Sequence, residues 1–258
     1  MYSGEKVLLF AHPRCGSSNV YQILQLHPAL DILEEPFNEN FVSWAPENRD
    51  YRALVHDIPS LEEQLADIFM QFDGLKVLNY QLRDELIEHL LLRSDLRVVF
   101  MRRRNVLQAV VSNLIAEQTH LWKKWNMTRS LASHYAGLQP LDLVDVQTRV
   151  DTVVHHMEWC AAVLDRRANG SVLQIEYERF FFAPPDEQAS KVEGLWRFLE
   201  VEPIPATDLD YYLRPELTKL NSAATYRLLP NADELNALCG SDHNGWLFEP
   251  RVDASESR

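Results

Sequence analysis

The stretch FAHPRCGSSNVYQILQLHP, residues 10–28, reads as the end of an apolar strand, a small polar loop and the start of a helix. In open α/β sheets, ligands bind at the carboxyl ends of strands, and HPRCGSS (12–18) stands at such an end. Gly16 lets the backbone approach an anion closely. The amides of Gly16, Ser17 and Ser18 would face that anion at the positive end of the helix dipole. Arg14 adds a permanently charged fork of donors, and Cys15 and Asn19 complete the candidate loop. The layout is that of a phosphate-binding loop, yet the Walker pattern is missing: no Lys follows Gly16 and no Gly stands five positions before it. A Cys-x5-Arg phosphatase loop is excluded because Tyr21 stands where the Arg would be. Taken alone, the loop reads first as a strand-to-helix turn with a surface Arg.

Outward from this loop the chain alternates between two patterns. KVLLFAH (6–12), LDILEE (30–35), GLKVLNY (74–80), RVVFMRR (97–103) and SVLQIEY (171–177) are near-continuous apolar runs. Such runs suit strands buried on both faces of a parallel sheet. Helical patterns separate them. Val20, Ile23, Leu24 and Leu26 share one side after the loop, and Ser60 with Glu63 resembles a capping box ahead of SLEEQLADIFMQF. DELIEHLLLR follows the third strand, and Val144, Val150, Val153, Val154, Met157, Ala161 and Leu164 form a later apolar stripe. The expected fold is α/β, three-layered, with a mostly parallel five-stranded sheet and a helical excursion before the last strand. One domain over 1–258 is expected, with a helical segment at 113–168 and an irregular, Pro-rich segment at 203–258.

The hydrophobic fraction of 46% and 258 residues allow a substantial core, and the net charge of −13 disfavours nucleic acid and anionic membranes as partners. Three widely separated Cys show neither zinc spacing nor a disulfide framework. MYSGEKVLLF lacks a signal peptide's basic start and long apolar core, and no run approaches the ~18 apolar residues of a membrane span. A cytoplasmic protein without membrane insertion is expected.

A second anion-binding feature follows the fourth strand. In RRRNVLQAVVSN, Arg104 and Ser112 lie eight residues apart, so a strand-end Arg and a Ser two helical turns on can reach one anion; alone, the run reads rather as a solvated basic strand end with Ser112 bonded to its own helix backbone. With both features in hand, the chain resembles sulfotransferases that use 3′-phosphoadenosine 5′-phosphosulfate (PAPS). Their P-[RK]-S-G-[ST]-[ST] loop corresponds to PRCGSS (13–18), and their Arg-Asn with a distant Ser corresponds to RNVLQAVVS (104–112). HPALDILEEPFN (27–38) resembles a segment of carbohydrate sulfotransferases. GLKVLNYQ (74–81) and QAVVSNLIAEQTHLW (108–122) resemble bacterial enzymes similar to trehalose sulfotransferase, and VLQIEYERF (172–180) resembles the family's fifth strand.

The resemblance implies a P-loop-type fold, PAPS as donor, metal-free transfer and a saccharide, glycolipid or small-metabolite hydroxyl as acceptor. It implies that Arg14 to Asn19 hold the phosphosulfate, that Arg104 and Ser112 hold the 3′-phosphate with Arg103 able to share the role, and that Tyr177 touches the adenine end. Two departures stand out. Cys15 replaces the loop's usual Ser; at a helix N-terminus its thiol is expected to ionise and oxidise readily. Leu78 stands where cytosolic members carry a His two residues after the strand-three Lys, here Lys76.

The base is therefore sought on strand two, where relatives carry a Glu-Pro whose Glu serves. This singles out Glu35, with Pro36 expected to hold it extended. Glu34 should point to the opposite face. Glu35 would lie beside the loop if strands one and two are neighbours. Lys76 and Arg14 would stabilise the developing charge. His155 and His156 lack metal spacing, His27 reads as a helix C-cap, and Trp122, Lys123, Lys124 and Trp125 read as an amphipathic surface able to line an acceptor cleft. A small-molecule kinase with a degenerate loop, and a non-catalytic nucleotide-binding module of the same fold, are the competing readings.

Overall fold

A computed structural model describes residues 4–39, 50–122, 127, 130–167 and 171–248. The chain opens with β1 (Lys6–Ala11), α1 (Ser17–Gln25), β2 (Ile32–Glu34), α2 (Tyr51–Leu54), α3 (Ile58–Gln71), β3 (Gly74–Leu78), α4 (Asp84–Leu92) and β4 (Leu96–Arg102). Helices α5 (Val106–Thr119), α6 (Leu131–Tyr135) and α7 (Leu143–Asp165) follow, then β5 (Val172–Glu176), α8 (Tyr177–Phe181) and α9 (Pro185–Leu199). The rest of the described chain forms short helices: α10 (Asp210–Leu213), α11 (Pro215–Thr218), α12 (Ala223–Tyr226) and α13 (Ala232–Cys239). Lys123, Lys124 and Trp125 lie outside the described residues. Among the described residues, no helix is long and apolar enough to cross a membrane.

The chain forms two compact units, one of residues 1–103 and 156–218, the other of 104–155 and 219–258. The first holds the sheet. Its five strands run in the order β2-β3-β1-β4-β5, and every pairing is parallel. The expected α/β class and strand count hold, with no antiparallel member. Val7, Leu9 and Ala11 pack with Val20, Ile23 and Leu24 of α1 and with Phe180, Phe181 and Trp196 of α8 and α9. The alternating partners Leu8 and Phe10 have no exposure either, so both faces of β1 are covered. Gly74 is required for the pairing of β1 and β3: a Cβ there would sit 2.3 Å from the Val7 carbonyl oxygen.

Several local expectations are corrected. Strands β1 and β2 are not neighbours, because β3 lies between them. Leu26 falls beyond α1 and is 46% exposed. Asp57 is the N-cap of α3, and its side chain accepts from the Ser60 amide, so Ser60 is the third helical residue of a capping box rather than the cap. Pro185 begins α9, where its missing N–H costs nothing, and Pro184 is the cap before it. Val144 is 75% exposed, while Val146, Cys160 and Val163 join the buried stripe of α7. His27 does not cap α1. Its Nε2 donates to the Glu202 carbonyl at 2.8 Å, and its ring packs against Trp196.

In the second unit, residues 244–247 are fastened to the start of α5. The Leu107 amide donates to the Asn244 carbonyl, and Asn105 Nδ2 and Gln108 Nε2 both donate to the Trp246 carbonyl. Within the described residues 203–248 of the segment expected to be irregular, four short helices lie between residues 210 and 239.

Candidate active site

The loop after β1 takes a shape that few sequences tolerate. Gly16 has φ of 83° and precedes α1 directly, and Arg14 is also left-handed, with φ of 64°. A Cβ on Gly16 would lie 2.6 Å from Cδ2 of Tyr177, so the loop rests on the ring and only glycine fits. Arg103 fixes the loop from the other side: Nη1 donates to the Arg14 carbonyl at 2.9 Å, and its guanidinium lies 4.8 Å from the Tyr177 ring centre. Arg103 is thus placed as a clamp on the loop backbone, and Tyr177 as its floor. Asn19 donates to the Tyr212 carbonyl at 2.9 Å and to Thr218 Oγ1 at 2.7 Å, tying α1 to the segment 212–218.

Cys15 departs from expectation. Its side chain is buried, and loss of solvation pushes the thiol up to about 12 despite the opposing charge of Arg103. A buried thiol of that kind stays protonated, opposite in direction to the lowered pKa expected at a helix N-terminus.

Beside the loop lies a buried ion cluster. Lys76, on β3, has no exposure; its ammonium is 3.1 Å from Glu34 Oε1, 2.8 Å from Glu35 Oε1 and 3.3 Å from Ser18 Oγ. Burial alone would push this lysine's pKa down, but the two carboxylates outweigh it and the pKa is raised. Glu34 is the register partner of Lys76 across the β2–β3 pair, which accounts for that contact. Glu35 should point away, and does not. Its φ is 51°, so the extended backbone expected before Pro36 is replaced by a left-handed one, and strand alternation ends there. Both carboxylates therefore reach one ammonium. Left-handed backbone at a non-glycine residue costs on the order of 1–3 kcal/mol, and here it brings Glu35 to Lys76. Since β3 separates β1 from β2, Lys76 is the link between the loop and the carboxylates.

Two residues absent from the candidates complete the cluster. Asn38 Nδ2 and Gln81 Nε2 both donate to Glu35 Oε2, at 2.7 and 2.9 Å. Asn38 follows Glu35 in a turn closed by its own amide on the Glu35 carbonyl, so its spacing was a usable signal. Tyr80 Oη accepts from Asn38 Nδ2 at 3.0 Å.

A histidine group stands at the ends of β1 and β3. His156 Nδ1 accepts from Asn79 Nδ2 at 3.4 Å, its Nε2 lies 3.4 Å from Asp84 Oδ1, and its ring is 6.5 Å from that of His12. Burial, reinforced by the nearby His156, lowers the His12 pKa to about 4. Among the described residues, no group of three or more His, Cys, Asp or Glu is placed to hold a metal ion.

In the second unit, Arg104 is exposed just ahead of α5, and Ser112 is buried within that helix. Asn221 Nδ2 donates to Ser112 Oγ at 2.8 Å, and Tyr135 Oη donates to Asn221 Oδ1 at 2.5 Å. Nothing local in the sequence marks Asn221 as a partner of a residue so distant in the chain.

No protein-family model matches the chain, and no curated protein matches it. Among solved structures it is similar to mouse sulfotransferase SULT7A1 complexed with PAP, at 14% identity and a TM-score of 0.39, over 96% of this chain and 73% of that one. A similarity of that size carries no argument about activity or ligand.

Proposed function

We propose that the chain is a sulfotransferase that moves a sulfuryl group from PAPS to an acceptor hydroxyl on a saccharide, glycolipid or small metabolite. The observation that carries this reading is the position of Lys76, which joins Ser18 of the anion loop to the strained carboxylate of Glu35 inside the protein. A loop for an anion and a candidate proton acceptor share one buried cation. The Tyr177 ring against Gly16 holds the left-handed turn at the start of α1, where backbone amides favour an anion.

In this mechanism the acceptor oxygen attacks sulfur in line, and the bond from sulfur to the bridging phosphate oxygen breaks. Glu35 takes the hydroxyl proton. The charge that grows on the bridging oxygen meets Arg14 and the amides of Gly16, Ser17 and Ser18 at the start of α1, preorganised by the Arg103 clamp. Lys76, enclosed by two carboxylates, acts mainly by holding Ser18 and Glu35 in place. Arg104 and Ser112 are assigned the donor's 3′-phosphate, the group that sets PAPS apart from ATP.

Calorimetric titration with 3′,5′-phosphoadenosine, ADP and ATP, with and without Mg²⁺, tests the donor. Tight, Mg²⁺-independent binding of the first, lost in Arg104→Ala, is the expected result. A preference for Mg²⁺-ATP would instead establish the kinase reading.

A further inference from the structure

The motif GLKVLNYQ carries Lys76 and, five positions on, Gln81, whose role the proposed reaction leaves open. Lys76 lies on β3, and Gln81 closes the 3-10 turn Asn79–Gln81 that follows it. The turn brings the Gln81 amide to the same carboxylate that Lys76 holds. Lys76 takes Oε1 of Glu35 at 2.8 Å, and Gln81 takes Oε2 at 2.9 Å. Asn38 adds a second donor to Oε2 at 2.7 Å. Asn38 and Gln81 are each about 95% buried, and Lys76 is fully buried. A carboxylate rotates about its last single bond with little resistance, so donors on both oxygens are needed to hold its plane.

We infer that Asn38 and Gln81 are positioning residues that lock the carboxylate plane of Glu35 and favour its ionised form beside a second buried carboxylate. The inference rests on the proposed role of Glu35 as proton acceptor. Among the described residues, the charged and titratable groups facing Glu35 include Lys76 from β3, Glu34 from β2 and Tyr80 from the 3-10 turn. Lys76 faces both carboxylates. The neutral amides of Asn38 and Gln81 hold Oε2 of Glu35 without adding charge to the cluster. The arrangement accounts for why a lysine and a glutamine occur at this spacing after a Glu-Pro: both side chains serve one carboxylate.

The test follows the ¹³C-labelled side-chain carboxyl of Glu35 by NMR against pH in the full chain, in Asn38→Ser and in Gln81→Met. The second variant keeps nearly the volume of glutamine. Each lost donor should move the Glu35 midpoint up by roughly one pH unit. An unmoved midpoint in both folded variants overturns the inference whatever the activity. Sulfuryl transfer measured alongside separates the two claims. If Glu35→Gln retains full activity, the assignment of Glu35 as base fails while the NMR result still decides the positioning role. If Glu35→Gln abolishes transfer, Gln81→Met should lower kcat and shift the acid limb of the kcat/KM profile upward, with 3′,5′-phosphoadenosine affinity unchanged.

Discussion

Lys76 Nζ and Glu35 Oε1 are 2.8 Å apart, between side chains with 0% and 6% exposure. A pair so enclosed contributes little net stability over apolar residues of the same shape, but removing one member is severe, because the other charge stays buried. Lys76→Met strands two carboxylates and should cost about 3–5 kcal/mol in urea unfolding. Glu35→Gln, which leaves Glu34 to balance Lys76, should cost markedly less. Equal losses in the two variants would show that the cluster's stability does not depend on charge balance.

Gly16→Ala forces a left-handed alanine and a Cβ against Tyr177. The backbone alone costs roughly 1–2 kcal/mol, and the collision adds to it. The expected result is a lower melting temperature and loss of 3′,5′-phosphoadenosine binding, with stability partly restored by Tyr177→Ala. Wild-type binding in Gly16→Ala would show that close backbone approach at this residue is dispensable.

His12 has its pKa lowered from 6.5 to about 4 by burial and by His156. Its folded pKa lies below its unfolded one, so the unfolded chain binds more protons between those values. The stabilisation is complete above pH 6.5 and is lost as pH falls towards 4, by about 3 kcal/mol in all. Unfolding free energies at pH 7, 5.5 and 4.5 should fall steeply for the parent and less steeply for His12→Gln. Parallel slopes would remove His12 as the cause.

All three cysteines are buried. With the Cys15 thiol pushed up to about 12, a thiol-specific reagent at pH 8 should label native protein far more slowly than urea-unfolded protein. Cys15→Ser should leave the native rate unchanged. A fast native phase that disappears in Cys15→Ser would restore the reactive-loop expectation.

The legible parts of the site were local ones. HPRCGSS carried its own geometry, because a glycine between a buried strand and a helix start leaves few backbone options. Glu35 and Lys76 were legible as candidates, but their meeting was not. It depends on β3 lying between β1 and β2 and on a left-handed turn at Glu35, against the extended preference that Pro36 imposes. Cys15 was misread for a related reason. A helix N-terminus is visible in sequence, whereas burial depends on side chains from other elements.

By itself, the sequence determined five strands, the helices between them, the α/β class and the strand-to-helix loop at residues 12–18, since apolar periodicity and glycine placement act within a few residues. Only the tertiary structure decided the strand order, the shared ammonium of Glu34 and Glu35, the grip of Asn38 and Gln81, the Arg103 clamp and the protonated state of Cys15. Each of those rests on donors, charges or desolvation supplied by residues distant in the chain, and they become definite only when the fold brings them within hydrogen-bond range.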